Sequence, residues 1–292
     1  IKLAKNSAGF KAGNWIFDQD SMQANNAEIV WLDQQNQSTE HHIQIDSLNL
    51  KNTWFKHQIS LVLRTPWNEG VAKVDAQFRH NLLGDAGNWR DWNGSIDWSA
   101  LNLDLRKINA TIGSDIKIVD GFLNSAGKTY LSSGMLDGGT TDLQFKNLHF
   151  EWARIGQPLK IMSLEAQIVQ ETYGNKISMT APKLNWQIDS KSEKQELNDI
   201  SFYWKAAPNI NLVSQAGIKA PSINIELVEQ LAKQFPLPKD IQQFINDYQP
   251  TGHLENLDAN WHAEASRLPF RISIPGFNES NYKVSFDFNH LF

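Results

Sequence analysis

The chain has 292 residues, enough for one large or two ordinary domains, and its 41% hydrophobic and 11% aromatic content excludes a disordered polymer. Lys and Arg number 27 against 32 Asp and Glu, a net charge of −5, and no basic block or stripe stands out, so binding of nucleic acid through clustered cations is disfavoured. There is no cysteine, which removes disulfides, thiol catalysis and thiolate metal sites and leaves the redox compartment open.

The chain opens at Ile1 without a methionine or signal peptide and ends on "NHLF" just after a strand-like run. It reads as a piece cut from a longer protein, with targeting segments expected outside it. Alternation of apolar and polar residues, the mark of strands, then dominates. It runs through "AEIVWL" (27–32), "HIQIDSLNL" (42–50), "HQISLVL" (57–63), "AKVDAQF" (72–78) and "SIDWSALNLDL" (95–105). Ile116 and Ile118 follow, then "FKNLHFEWAR" (145–154), "LKIMSLEAQIV" (159–169), "KISMTAPKLNWQI" (176–188), "LNDISFYWKA" (197–206), "LENLDANWHA" (254–263), "FRISI" (270–274) and "YKVSFDF" (282–288). About fifteen strands are expected. Turn signals separate them: "WNEG" (67–70), "LDGG" (136–139), "IGQP" (155–158), "ETYGN" (171–175), a charged tip "SKSEKQE" (190–196) and "PTG" (250–252). No run approaches the roughly 18 to 20 apolar residues of a membrane helix.

One segment breaks the pattern. "SINIELVEQLAKQF" (222–235) places Leu227, Val228, Leu231 and Phe235 at helical spacing, with Ser222 or Asn224 as N-cap. "LPKDIQQFINDYQP" (237–250) reads as a second short helix stopped by Pro250 and Gly252. An amphipathic helix pair near 222–249 is therefore expected, lying on an apolar surface.

Chemistry is hard to find. None of the eight histidines forms a metal-binding spacing, and the adjacent His41 and His42 would point to opposite faces of a strand. "DQDSMQANNAEI" (18–29) begins like a calcium loop but offers Met22 and Ile29 where oxygen ligands are needed. "SAGK" (125–128) has a Ser-x-x-Lys spacing without its companion motifs, and "LDGGTTD" (136–142) lacks the ending of a phosphate loop and reads as a hairpin turn. No catalytic residue, metal or cofactor is expected, and the chain is not expected to be an enzyme.

Three strands share a spacing. Phe145–Leu148–Phe150–Trp152, Leu197–Ile200–Phe202–Trp204 and Leu254–Leu257–Ala259–Trp261 each take one step of three and then steps of two. Ile45–Leu48–Leu50 begins the same way. One extra residue in a strand is what a bulge or bend supplies, so a sheet that curves repeatedly in the same manner is expected.

The segment 227–264, with Leu237–Pro238, Pro250, Gly252, Leu254, Leu257 and Trp261, resembles the AsmA-like proteins of the YhdP type. Further similarity lies in 27–35, 45–50 and 138–168, so the resemblance covers most of residues 8 to 264; the stretch 99–135 departs from the pattern and no element is assigned to it. The resemblance implies a mainly β fold, an elongated, curved, largely antiparallel sheet forming an apolar groove (a β-taco), here one continuous segment over 1–292 with the helical insert. It also implies a bridge-like lipid-transfer role in the periplasm of a Gram-negative envelope, with an inner-membrane anchor outside this chain and phospholipid acyl chains as the partners.

The residues suit that role. Stacked strands turn the repeated sets into an apolar stripe, and an uncovered stripe marks a binding surface. Expected lining residues are Phe150, Trp152, Leu184, Trp186, Ile200, Phe202, Trp204, Leu257 and Trp261. The alternative is a β-sandwich carbohydrate-binding or glycan-processing module using exposed tryptophans, for which "NWRDWNG" (88–94) is the local support. A fragment of an outer-membrane barrel ranks last, because it predicts aromatic girdles at both strand ends.

Overall fold

The computed structural model describes residues 8–33, 39–112, 116–152, 158–205, 213–225, 251–264 and 282–289, with Gln243 and Asp247 as helical positions between the last segments. Helix α1 (Ala8–Phe17) precedes strands β1 (Ser21–Asp33), β2 (Thr39–Thr53), β3 (Lys56–Arg64), β4 (Ala72–Arg79) and β5 (Asn93–Asp104). After helix α2 (Leu105–Ile112) come β6 (Ile116–Ser132), β7 (Met135–Trp152), β8 (Pro158–Tyr173), β9 (Lys176–Gln187), β10 (Gln195–Lys205), β11 (Val213–Asn224), β12 (His253–Glu264) and β13 (Tyr282–Asn289). The strands form one sheet in which spatial order follows chain order from β1 to β13, and neighbours are antiparallel from β1 to β6 and from β8 to β13. The expected mainly β, antiparallel class is the observed one. A sandwich needs two facing sheets, so that alternative fails as an architecture.

The chain divides into two compact units. The first comprises 1–114 and 118–147, hence β1 to β6 and most of β7; the second comprises 115–117 and 148–292, hence the end of β7 and β8 to β13.

Four local expectations need correction or completion. The described residues hold thirteen strands rather than about fifteen, with "FRISI" (270–274) outside them. "LDGG" (136–139) is strand, not turn. The β6–β7 hairpin turns at Ser133 and Gly134, both at positive φ (50° and 69°), the pattern of a type I′ turn. Gly139 serves packing instead: a Cβ there would run into the Lys128 carbonyl of the neighbouring strand. Ser222 and Asn224, proposed as helix caps, lie within β11; Ile225 is helical, and most of the expected helix pair falls outside the described residues. The unassigned stretch 99–135 is the end of β5, α2 and β6. Asp104 caps α2, its Oδ1 accepting from the Arg106 backbone N–H at 3.1 Å. The Arg106 guanidinium adds two bonds, which hold this buried carboxyl below the usual carboxylate range.

The three-two spacing has a conformational cause. Asn26, Asn102, Asn147, Asp199 and Asn256 all adopt left-handed backbone, with φ between 51° and 55°. Each stands just before the apolar residue that resumes the alternation: Ala27, Leu103, Leu148, Ile200 and Leu257. One left-handed residue bends the strand and restores side-chain phase, so residues three apart share a face. Asn and Asp are the non-glycine residues that tolerate this conformation best. Proline stands across two of the bends. Asn198 pairs with Lys183 and Ile200 with Ala181, which sets Pro182 opposite Asp199. Ala220 pairs with Leu257 and Ser222 with Glu255, which sets Pro221 opposite Asn256. An unpaired bend is a place where a residue without an N–H disrupts no ladder. Asp199→Gly is expected to leave stability unchanged or slightly raised, whereas Asp199→Val should cost about 1–2 kcal/mol. Urea unfolding of the two variants checks this; equal effects of Gly and Val would remove the argument.

Candidate functional site

In an antiparallel pair, residues directly opposite share a face, so the registers show what the sequence left open: which side chains lie together. In the first unit three rungs cross six strands. Met22, Leu50, Ile59, Ala76, Ile96 and Thr129 form one. Ala24, Leu48, Leu61, Val74, Trp98 and Gly127 form the next, and Ala27, Ile45, Leu63, Ala72, Ala100 and Ser125 the third. The bend at Asn26 and the bulge at Asp46–Ser47 keep Ala24 and Ala27, and Leu48 and Ile45, on this one face.

The second unit repeats the arrangement. Phe202 pairs with Met179 and Ile218, and Ile218 with Ala259. Trp204 pairs with Ile177 and Ala216; Ile200 pairs with Ala181; Leu257 pairs with Ala220. Leu184 pairs with Leu197 and Ala166, and Trp186 with Leu164. Strand β8 passes the bend without an extra residue, so Ala166 and Gln170 share a face and carry Leu184 to the same side as Met179. Six of the nine expected lining residues, Leu184, Trp186, Ile200, Phe202, Trp204 and Leu257, therefore lie on one face. Phe150 is half-buried near the end of β7. Trp152 and Trp261 stand in β7 and β12, with side chains outside the described residues.

The opposite face is polar. Lys128 bonds Asp97 at 2.9 Å, Ser60 bonds Asp75 at 2.6 Å, and Lys183–Glu196 and Lys219–Asp258 each close at 2.7 Å. Such exposed pairs add little stability. Their value is to mark the wet side of the sheet.

Among the described residues the apolar face is only partly covered: Ile45, Leu50 and Ala76 are buried, whereas most of its large side chains are not. Ile59, Leu61, Leu63, Val74, Ile96 and Trp98 are half-buried, as are Ile200, Phe202, Trp204 and Leu257; Trp186, at 5% exposed, is the deepest of the expected lining residues. Among the described residues the largest fully buried side chain is His57, at 1% exposed. A sheet sealed by a second layer would bury its large aliphatic and aromatic side chains instead. The unit-one rungs were absent from the expected site. Their alternation was visible from residue 43 onward, but nothing local distinguished a lining strand from a packed one.

The dense packing lies at one margin, around α1. Phe17 meets His57, Phe78 and Trp92 edge-on at 5.0–5.5 Å, and Phe78 stacks on Trp92 at 3.8 Å. Asn52 donates through Nδ2 to the carbonyls of Ile16 (3.3 Å) and Gln19 (2.6 Å), capping the helix end. Its Oδ1 therefore accepts from His57 Nδ1 at 2.8 Å, which leaves His57 Nε2 buried, unprotonated and unpartnered. Burial first, and the stacked His80 ring second, push the His57 imidazole down to about 4, with Asp18 opposing. In "NWRDWNG", Trp92 belongs to this packing and Trp89 is exposed with Arg90 over its ring, so the two do not make a shared sugar platform. His41 is half-buried against Trp67 and His42 is exposed against Glu28, on opposite faces as expected. Among the described residues no three His, Asp or Glu side chains group as metal ligands, and no helix is long and apolar enough to cross a membrane.

No curated protein and no solved structure matches the chain significantly. A family model described as YhdP protein matches residues 2–291, nearly the whole chain. The chain therefore belongs to the YhdP family, a family of bridge-like lipid-transport proteins.

Proposed function

We propose that the apolar face shields phospholipid acyl chains as they move between inner and outer membranes. This chain then acts as one periplasmic segment of a longer protein anchored in the inner membrane by a part outside it. The observation that carries the reading is the set of mostly apolar rungs within each unit, whose large side chains, Leu61, Trp98, Phe202 and Trp204 among them, are half-exposed and backed by a polar face. Each buried CH₂ contributes about 0.8 kcal/mol, so two chains of roughly sixteen carbons crossing water would cost on the order of 20 kcal/mol. An apolar face removes most of that barrier. It needs no tight binding, because bilayer and groove are similar surroundings for a hydrocarbon chain. Even rungs suit sliding.

A photoreactive residue at Phe202 or Leu61, followed by mass spectrometry of lipid adducts, tests the reading. Adducts are expected at both, and at neither of the polar-face positions Asp75 and Lys219. Adducts confined to the polar-face controls would overturn it.

A further inference from the structure

We propose that the loop margin of the first unit is a bilayer-docking surface for a zwitterionic phospholipid layer. Helix α1, the β2–β3 turn, the β4–β5 loop and the β6–β7 turn leave the sheet at this margin, and they are tied into one platform. Asn52 bonds the end of α1, the His80 N–H donates to the Phe55 carbonyl at 3.2 Å, and the Gly87 N–H to Asn14 Oδ1 at 2.6 Å. The Gly134 N–H donates to the Trp92 carbonyl at 2.8 Å, which brings in the β6–β7 turn. Beneath lies the aromatic packing of Phe17, His57, Phe78 and Trp92, so the tips are held rigidly.

What the platform displays is unusual for exposed tips. Trp15, Trp54, Leu83, Trp89, Met135 and Leu136 are all exposed, Leu83 completely. They stand on α1, the β2–β3 turn, the β4–β5 loop and the first residues of β7, and exposed apolar side chains on several adjoining elements suit insertion into a fluid layer. Tryptophan favours the boundary between hydrocarbon and headgroup, where its ring is dry and its N–H wet. Arg90 lies 4.9 Å over the Trp89 ring and Lys56 5.5 Å over Phe55, which sets cations level with the aromatics, at the depth of lipid phosphates. The exposed cations Lys51, Lys56, Arg79 and Arg90 are matched by exposed Asp18, Asp20, Asp85 and Asp137. A rim of mixed and balanced charge complements a headgroup layer that carries both signs. A strongly anionic partner would call for excess cations, which the described side chains of the margin lack. Attraction then comes from apolar insertion and should be insensitive to salt.

The test uses the whole chain and vesicles of phosphatidylethanolamine and phosphatidylcholine. The protein should float with the vesicles at low and high salt, with a blue-shifted tryptophan emission quenched by lipids brominated near the headgroup. The variant Trp54→Ser/Leu83→Ser/Trp89→Ser removes side chains that pack on little, so it should fold, and its partition should fall at least about tenfold. Phe202→Asp, which alters the acyl-chain face alone, should float like the parent; the docking inference and the acyl-chain reading thus fail separately. Equal flotation of the triple variant would overturn the inference. So would flotation that requires anionic lipid and vanishes in salt. Self-association of the parent without vesicle binding, reversed by the triple variant, would assign the tips to a second copy of the chain and overturn it as well.

Discussion

Leu61→Asp and Phe202→Asp are each expected to cut recovered lipid adducts by at least about tenfold while the sheet stays folded, the adducts being read from a photoreactive residue at Trp98 for the first and at Trp204 for the second. A carboxylate facing an acyl chain loses water without gaining a partner, which costs several kcal/mol, and each 1.4 kcal/mol is a factor of about ten. In the lipid-free protein these side chains are only half-buried, so the carboxylate stays hydrated and the stability loss should be modest, about 1–2 kcal/mol by urea unfolding. Phe78→Ala is the contrast. That ring is 6% exposed, between Phe17, His57 and Trp92, and its removal should cost about 3–5 kcal/mol while sparing adducts in the second unit. If Leu61→Asp destabilised as much as Phe78→Ala, the face would be a sealed core and the transport reading would fall.

Acid should weaken the first unit through His57. The folded state holds this imidazole near 4 against 6.5 for the free side chain, so between those values the unfolded chain binds more protons. The contribution is fully present above about pH 6.5, declines as pH falls, and is lost near pH 4, a span worth about 3 kcal/mol. The structural reason is the buried Nε2, which would gain a proton with nothing to receive its hydrogen bond, beside the stacked His80. Because His57 orients Asn52 and Asn52 caps α1, release of α1 should accompany the loss. His57→Gln should be less stable at neutral pH and show a flatter fall between pH 6.5 and 4. Denaturant melts followed by proteolysis near Phe17 would report both. Parallel pH profiles for parent and variant would exclude His57 as the source.

The strands were legible from residue order because their cause is local. A period of two places Ile59, Leu61 and Leu63 on one side whatever lies opposite, and the step of three before Leu148, Ile200 and Leu257 announces a bend. Even the residue at each bend was readable in retrospect, since Asn147, Asp199 and Asn256 belong to the few types that tolerate left-handed backbone. Helix α1 was not legible. Its ten residues include Gly9 and Gly13, poor helix formers, and it is held by contacts with Phe78, Trp92 and Gly87 some seventy residues away. The glycines of 138–139 read locally as a hairpin turn, whereas close strand packing accounts for Gly139 and Ser133–Gly134 makes the turn. Sequence alone thus determined which residues alternate, where strands bend and that no catalytic constellation stands out. Only the tertiary structure decided that the rungs align from strand to strand, and that, among the described residues, most large side chains of the apolar side stay half-exposed while the polar side carries the ion pairs. Register and covering depend on partners distant in the chain, and no local pattern of side chains encodes what is, or is not, packed above it.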